Sequence, residues 1–210
     1  VMESALIVAA GLWPNSSIWN PLVKAADLII AADGGACLAA QNQVEVDVII
    51  GDMDSLVSSD ILKHPNAELI DMQEQDDSDL SKALKWLALK DDFSNHTRVD
   101  IIGVEGGRID HAFAAFTILF ENAVPKAIIW LDGWQVQAVR GEVELSCENG
   151  QIISLFALGK VEGLCIEGLL YNCNNEVLEI GSRGLHNEGL GGLAKISCEK
   201  GNLLLMKQIK

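Results

Sequence analysis

Positive charge is what this chain has least of for its size. Only 15 Lys and Arg stand against 30 Asp and Glu, a formal net charge of −15 over 210 residues. So acidic a surface repels nucleic-acid backbones and anionic membranes, and neither is expected as a partner. Cationic small molecules are favoured, while a nucleoside triphosphate needs a metal and a few well-placed basic groups. The five cysteines (Cys37, Cys147, Cys165, Cys173, Cys198) are odd in number and contain no C-x-x-C pair. That excludes a disulfide framework or a zinc ribbon and suits small buried thiols in a reducing cytosol. There is no basic segment leading into an apolar one at the start, and no apolar run long enough to span a bilayer. A cytoplasmic protein is expected. Internal repeats, low-complexity tracts, a twelve-residue EF-hand loop and a Ser-His-Asp or Cys-His nucleophile arrangement are also missing.

What is present begins with apolar residues, 49% of the chain, ample for a packed core. Runs at 4–10, 27–32, 46–50, 99–104 and 126–131 are rich in Ile and Val on successive positions and end at glycine or aspartate. Continuous runs of this kind read as strands buried on both faces of a parallel sheet. A helix is predicted from about Ser78, with Leu80, Ala83, Leu84 and Leu87 as its buried stripe and Asp79, Lys82 and Lys85 off it. Asp77 or Ser78 caps it, leaving Asp79 in the first turn. A second helix starts near Asp110, with Phe113, Phe116, Thr117 and Phe120 as its apolar stripe. The expected fold is therefore α/β: an open, mostly parallel sheet flanked by helices over 1–135, followed by a small all-β sandwich over 136–210. In such sheets ligands bind beyond the carboxyl ends of the strands.

Three polar clusters, at Asp33, at Asp52 and over 106–111, fall at those ends, and a fourth, over 75–79, opens a predicted helix. Asp33-Gly34-Gly35 offers a tight strand-to-helix turn with free backbone N–H groups, although a plain turn uses the same residues. Gly51-Asp52-Met53-Asp54-Ser55 and Gln75-Asp76-Asp77-Ser78-Asp79 crowd five carboxylates into two short stretches. Like charges that close are costly unless a cation sits among them, and Mg²⁺ is the hard ion such oxygens suit. Gly106-Gly107-Arg108-Ile109-Asp110-His111 combines a flexible pair with a guanidinium able to grip phosphate through two hydrogen bonds. His111 reads first as a cap or hydrogen-bonding residue.

Together these clusters resemble the thiamine pyrophosphokinase family. Its Ala-Asp-Gly-Gly-Ala, Gly-Asp-x-Asp-Ser, Asp-x-Asp-x-Thr-Asp and Gly-Gly-Arg-x-Asp-His motifs are matched, in order, at 32–36, 51–55, 74–79 and 106–111. Further on, Gly168-Leu169-Leu170-Tyr171 and residues 181–188 are similar to the family's thiamine-binding region, so the likeness spans nearly the whole chain. Glu74, Ser78, Cys37 and His186 depart from the usual Asp, Thr, Asn and Ser.

The resemblance implies transfer of the β,γ-pyrophosphoryl group of ATP to the hydroxyl of thiamine, giving thiamine diphosphate and AMP. It implies Mg²⁺ on Asp52, Asp54 and Asp79, with Gln75 and Arg108 on the polyphosphate. Asp33, Gly34, Gly35, Asp110 and His111 then shape the nucleotide pocket, with ATP as co-substrate. Tyr171, Ser182, His186 and Asn187 are implied for thiamine, and a homodimer with the acceptor site at the subunit interface. Asp77 and Asp79 both stand as candidates to take the hydroxyl proton. Two alternatives remain open at this stage: a pyrophosphokinase for another alcohol such as a hydroxymethyl pterin, and a nucleotide-binding sensor without turnover.

Overall fold

In the first half of the chain, branched residues on consecutive positions make strands that leave no face for water. The computed structural model describes residues 1–52, 63–73, 76–121 and 124–209. These form two compact units, Val1–Asp132 and Gly133–Lys210. In the first unit six parallel strands, β1 (Ser4–Val8), β2 (Leu28–Ala32), β3 (Val48–Gly51), β4 (Glu68–Asp71), β5 (Arg98–Ile102) and β6 (Ala127–Leu131), lie in the order β6-β5-β1-β2-β3-β4. Leu6, Ile7, Ile30, Ile49, Ile50, Ile101 and Ile129 are fully buried, as strands covered on both faces require. β4 was not legible beforehand. Glu68, Leu69 and Asp71 are exposed on this edge strand, so it carries no apolar run to betray it.

The helices described in this unit are α1 (Ser16–Ala25), α2 (Gly35–Gln41), α3 (Asp79–Ala88) and α4 (Ile109–Glu121). Ser78 caps α3, its hydroxyl accepting from the Ser81 amide at 3.2 Å, and Asp79 occupies the first turn. Leu80, Ala83, Leu84 and Leu87 are buried, and α3 packs on β2 and β3. Lys82 differs from expectation: it too is buried, at 3% exposure. Its aliphatic stem extends the apolar stripe while its ammonium reaches Asp79.

α4 also differs. Its buried residues are Ala115, Ile118 and Leu119, whereas Phe113 is 59% exposed and Phe116, Thr117 and Phe120 are only half-buried. The helix is apolar nearly all round, so period alone could not pick the inward face. The small and aliphatic side chains turn inward, and the aromatics form a stripe on the other side.

The second unit comprises β7 (Trp134–Val139), β8 (Glu142–Ala157), β9 (Val161–Glu167), β10 (Cys173–Leu178), β11 (Asn187–Ser197) and β12 (Leu203–Gln208). All pair antiparallel in the order β10-β9-β11-β8-β12-β7. Val139 on β7 and Leu178 on β10, at opposite ends of the ladder, share one core cluster with Ile153, Leu155, Ile196 and Leu203. The sheet therefore curls around a single core. The expected class holds: a sheet flanked by helices, then a β-rich unit. No helix among the described residues is long and apolar enough to cross a membrane.

Among the described residues of unit 1, Asp100 on β5 is a buried carboxylate that the fold must tolerate. It is 5% exposed and one oxygen accepts from Trp130 Nε1 at 2.6 Å and from Arg98 Nε and Nη2 at 3.0 and 2.9 Å. Burial raises its pKa, and the bonds from Trp130 and Arg98 offset that only in part. A raised folded pKa means the native state holds this proton more tightly. Its stabilising contribution is complete below the unfolded carboxylate range and is lost as pH rises through the folded value. Asp100→Ala, which strips the acceptor from the indole, is expected to lower unfolding free energy by about 1–3 kcal/mol in urea titrations at neutral pH. Asp100→Asn keeps an acceptor, costs less, and removes this pH dependence.

Candidate active site

The strand order reverses beside β1. The chain steps outward through β2, β3 and β4, then crosses to place β5 on the other side of β1. Connections leaving β1 and β5 diverge, and a crevice opens at their carboxyl ends. A cavity of about 570 Å³ lies there. Its walls are Ala9, Ala10 and Gly11 after β1, Asp33 after β2, Gly103, Val104 and Gly106 to Arg108 after β5, and the first turns of α3 and α4. Gly35 fixes one wall: a Cβ there would stand 2.1 Å from the Val8 carbonyl oxygen, so the start of α2 rests on the end of β1. Asp33 takes a φ of +44°, a conformation that aspartate tolerates better than most residues.

Ser78, Asp79, Arg108, Asp110 and His111 all line this cavity with Asp33. Asp79 is half-buried. Desolvation raises its pKa, Lys82 at 3.3 Å lowers it, and the like charges of Asp33 and Asp52 raise it again. Three carboxylates from separate stretches of chain thus feel one another electrostatically. Asp77, one residue before the cap, is held differently. Lys85 grips it and keeps its carboxyl below the ordinary range, with Ser81 Oγ at 3.4 Å adding to the effect. Asp77 is not part of the cavity wall.

Arg108 and Asp110 form a two-pronged pair, Nε to Oδ1 at 3.1 Å and Nη2 to Oδ2 at 2.6 Å. This lowers the Asp110 pKa to about 2, with the His111 backbone N–H contributing at 3.1 Å. Both side chains are exposed, so the pair is within reach of an incoming anion.

Among the described residues no three His, Cys, Asp or Glu side chains form a ready-made metal cage. The donor chemistry of Asp33, Asp52 and Asp79 nevertheless fits a hard divalent cation: they are carboxylate oxygens, and their mutual repulsion is what a cation relieves. Mg²⁺ in particular needs only one or two carboxylates when phosphates supply the rest. Asp54 and Gln75, also named from sequence, lie outside the described residues.

In the second unit, Asn187 brings Tyr171 to the start of β11. Its Oδ1 accepts from the Tyr171 amide at 2.9 Å and its Nδ2 donates to the Tyr171 carbonyl at 2.7 Å. The Tyr171 side chain is exposed. Ser182 accepts the Leu185 amide through its carbonyl at 3.1 Å, closing a turn. His186 takes a φ of +65°, donates its amide to Ser154 Oγ at 3.1 Å, and holds its exposed imidazole 3.8 Å from Glu188.

Residues 19–131 match the family model for the thiamin pyrophosphokinase catalytic domain, and residues 142–203 match that for the thiamin pyrophosphokinase vitamin B1 binding domain. The chain belongs to the thiamin pyrophosphokinase family. Thiamine pyrophosphorylation is the activity that this membership supports. The fold is also that of solved thiamin pyrophosphokinases. The protein from Bacillus subtilis superimposes with a TM-score of 0.81 at 22% identity over 99% of each chain. The one from Geobacillus thermodenitrificans gives 0.80 at 20% over 99% of this chain and 98% of that one. The yeast enzyme gives 0.79 at 15% over 99% and 87% respectively. No curated protein matches the chain.

Within unit 1, much of the polar wall is legible in the sequence, whereas its other components are not. Ala9, Ala10, Gly11, Gly103 and Ala114 line the cavity as backbone or small side chains, and such residues carry no chemical signal. Lys82 did carry one: a cation three residues after a site aspartate on the same helix shares its face. Because Lys82 lowers the Asp79 pKa, Lys82→Met is expected to raise it further. Carboxyl ¹³C NMR titration of wild type and variant checks this, and an unmoved Asp79 resonance would rule out the pairing.

Proposed function

We propose that the chain transfers the β,γ-pyrophosphoryl group of ATP to the hydroxyl of thiamine in one in-line step, with AMP leaving. The observation that carries this reading is the convergence of Asp33, Asp79, Arg108, Asp110 and His111 on one cavity at the strand-order reversal. Asp33 with Gly34-Gly35, and Asp110 with His111, shape the nucleotide pocket. Arg108, now paired to Asp110, exchanges that carboxylate for polyphosphate oxygens of the same geometry, and Gln75 assists. Mg²⁺ would be held by Asp52, Asp54 and Asp79, and when bound it neutralises charge on the transferring group. Of the two aspartates, Asp79 lines the cavity and so stands nearer the transferring group. Asp77, held low by Lys85, is a poorer base. Tyr171 offers a ring face to the thiamine cation, with Ser182, His186 and Asn187 nearby in sequence.

A homodimer, with the acceptor site completed at the subunit interface, is part of the same reading. Ile109, Phe113, Phe116 and Phe120 share one face of α4, opposite the buried Ala115, Ile118 and Leu119. Such a stripe beside the cavity-lining turn of α4 supports a second copy as its cover. Sedimentation is expected to give twice the 22.6 kDa chain mass, and Phe113→Ser is expected to shift the population toward monomer.

The reaction is tested by mixing protein, ATP, Mg²⁺ and thiamine and measuring AMP. AMP and thiamine diphosphate should appear together in equal amounts, and Asp54→Asn should lower turnover by about a hundredfold or more with little change in thermal stability. AMP formation with a hydroxymethyl pterin but not with thiamine would reassign the acceptor. ATP binding without AMP from either alcohol would make the chain a sensor.

A further inference from the structure

The residues before β10 are tied to β11 at several points. Gly168, at φ +79°, lies so close to β11 that a Cβ would stand 2.3 Å from the Leu193 carbonyl oxygen. Leu169 is fully buried, and its amide donates to Asn172 Oδ1 at 3.2 Å. The Leu170 amide donates to the Glu188 carbonyl at 2.8 Å. Tyr171 is then held at both ends of its backbone by the Asn187 side chain. The segment is clamped, yet the Tyr171 side chain is 66% exposed.

Asn187 itself is 7% exposed and its bonding is nearly exhausted. Oδ1 has two lone pairs and accepts two backbone N–H groups, from Tyr171 and from Glu188, both at 2.9 Å. Those two donors fix which end of the amide is oxygen, and Nδ2 faces the Tyr171 carbonyl. The oxygen has no capacity left to accept from a ligand. The amide instead imitates a neighbouring strand, accepting from and donating to one residue.

We propose that Asn187 is a positioning residue that acts on the acceptor through Tyr171, holding the backbone so that the ring stands ready as a platform for a flat, cationic heteroaromatic ring. This rests on the acceptor reading given above. A fixed backbone leaves only the ring torsions to be ordered on binding, so the cost of immobilising the platform is met during folding. Removing Asn187 frees that backbone and lowers affinity without removing any atom that touches the ligand.

A double-mutant cycle on the full chain tests this by calorimetry with thiamine. Asn187→Ala is expected to weaken thiamine binding about tenfold or more while leaving the KM for ATP unchanged. In a Tyr171→Ala background the same change should have less than about a twofold effect, because the element it positions is already gone. Equal losses in both backgrounds would overturn the proposal, and so would wild-type affinity in Tyr171→Ala. Wild-type protein that neither binds thiamine nor releases AMP would instead sink the functional reading and this inference with it.

Tyr171 is the only tyrosine in the chain, which gives a second readout. With 3-fluorotyrosine incorporated, wild type should show one ¹⁹F resonance that moves with thiamine. Asn187→Asp keeps both N–H acceptors, loses the donor to the Tyr171 carbonyl, and serves if Asn187→Ala does not fold. Its ¹⁹F line should broaden or shift before thiamine is added, and an unchanged line would count against the clamp.

Discussion

Repulsion among carboxylates is the constraint around which the first unit is arranged. Asp79 sits half-buried on the first turn of α3, where desolvation and the charges of Asp33 and Asp52 all disfavour its ionised form. A chain with 30 acidic residues could avoid this by scattering them. Instead Lys82 is buried to place an ammonium 3.3 Å from Asp79, and α3 presents the positive end of its dipole to the same carboxylate. Asp110 is countered by Arg108 in the same local fashion. Each opposing charge comes from within three residues, so the cluster is partly neutralised by its own chain.

The sheet supplies the placement. Parallel strands deliver every connection after a strand to the same edge, so Asp33, Asp52 and the loop from Gly103 to Arg108 meet there although long stretches of sequence separate them. The reversal of strand order beside β1 opens the space between them. Close backbone approach sets its size: the Gly35 contact with Val8, and the Gly11 amide bonded to the Gly103 carbonyl at 2.6 Å, draw the connections after β1, β2 and β5 together. Polar side chains then project into a cavity whose inner wall is backbone and alanine.

This division explains what could be read beforehand. The central strands were legible because burial on both faces writes continuous apolar runs, and Asp33, Asp79, Arg108, Asp110 and His111 were legible because they pair chemical function with a strand end or helix start. β4 was not, since an edge strand can be polar. α4 was found but its orientation was not, because an all-round apolar helix leaves the inward face to be chosen by packing. Lys82 reads as lying off the buried stripe because charge usually opposes burial, whereas a long stem allows both. Ala9, Ala10 and Gly103 enter the site by position alone, which no residue type announces.

The two units solve the positioning problem with different means. In unit 1, helix starts and glycine contacts hold charged side chains, suited to anionic oxygens whose charge must be met from several directions. In unit 2, one buried amide holds a strand-like segment so that a single ring faces outward. A ring face interacts through its quadrupole, which weakens if the ring tilts away from the cation. For the role proposed for Tyr171, orientation therefore matters more than charge. A side-chain amide that grips both the N–H and the C=O of the same residue meets that demand: it restrains rotation of the peptide planes on either side of the Cα from which the ring projects.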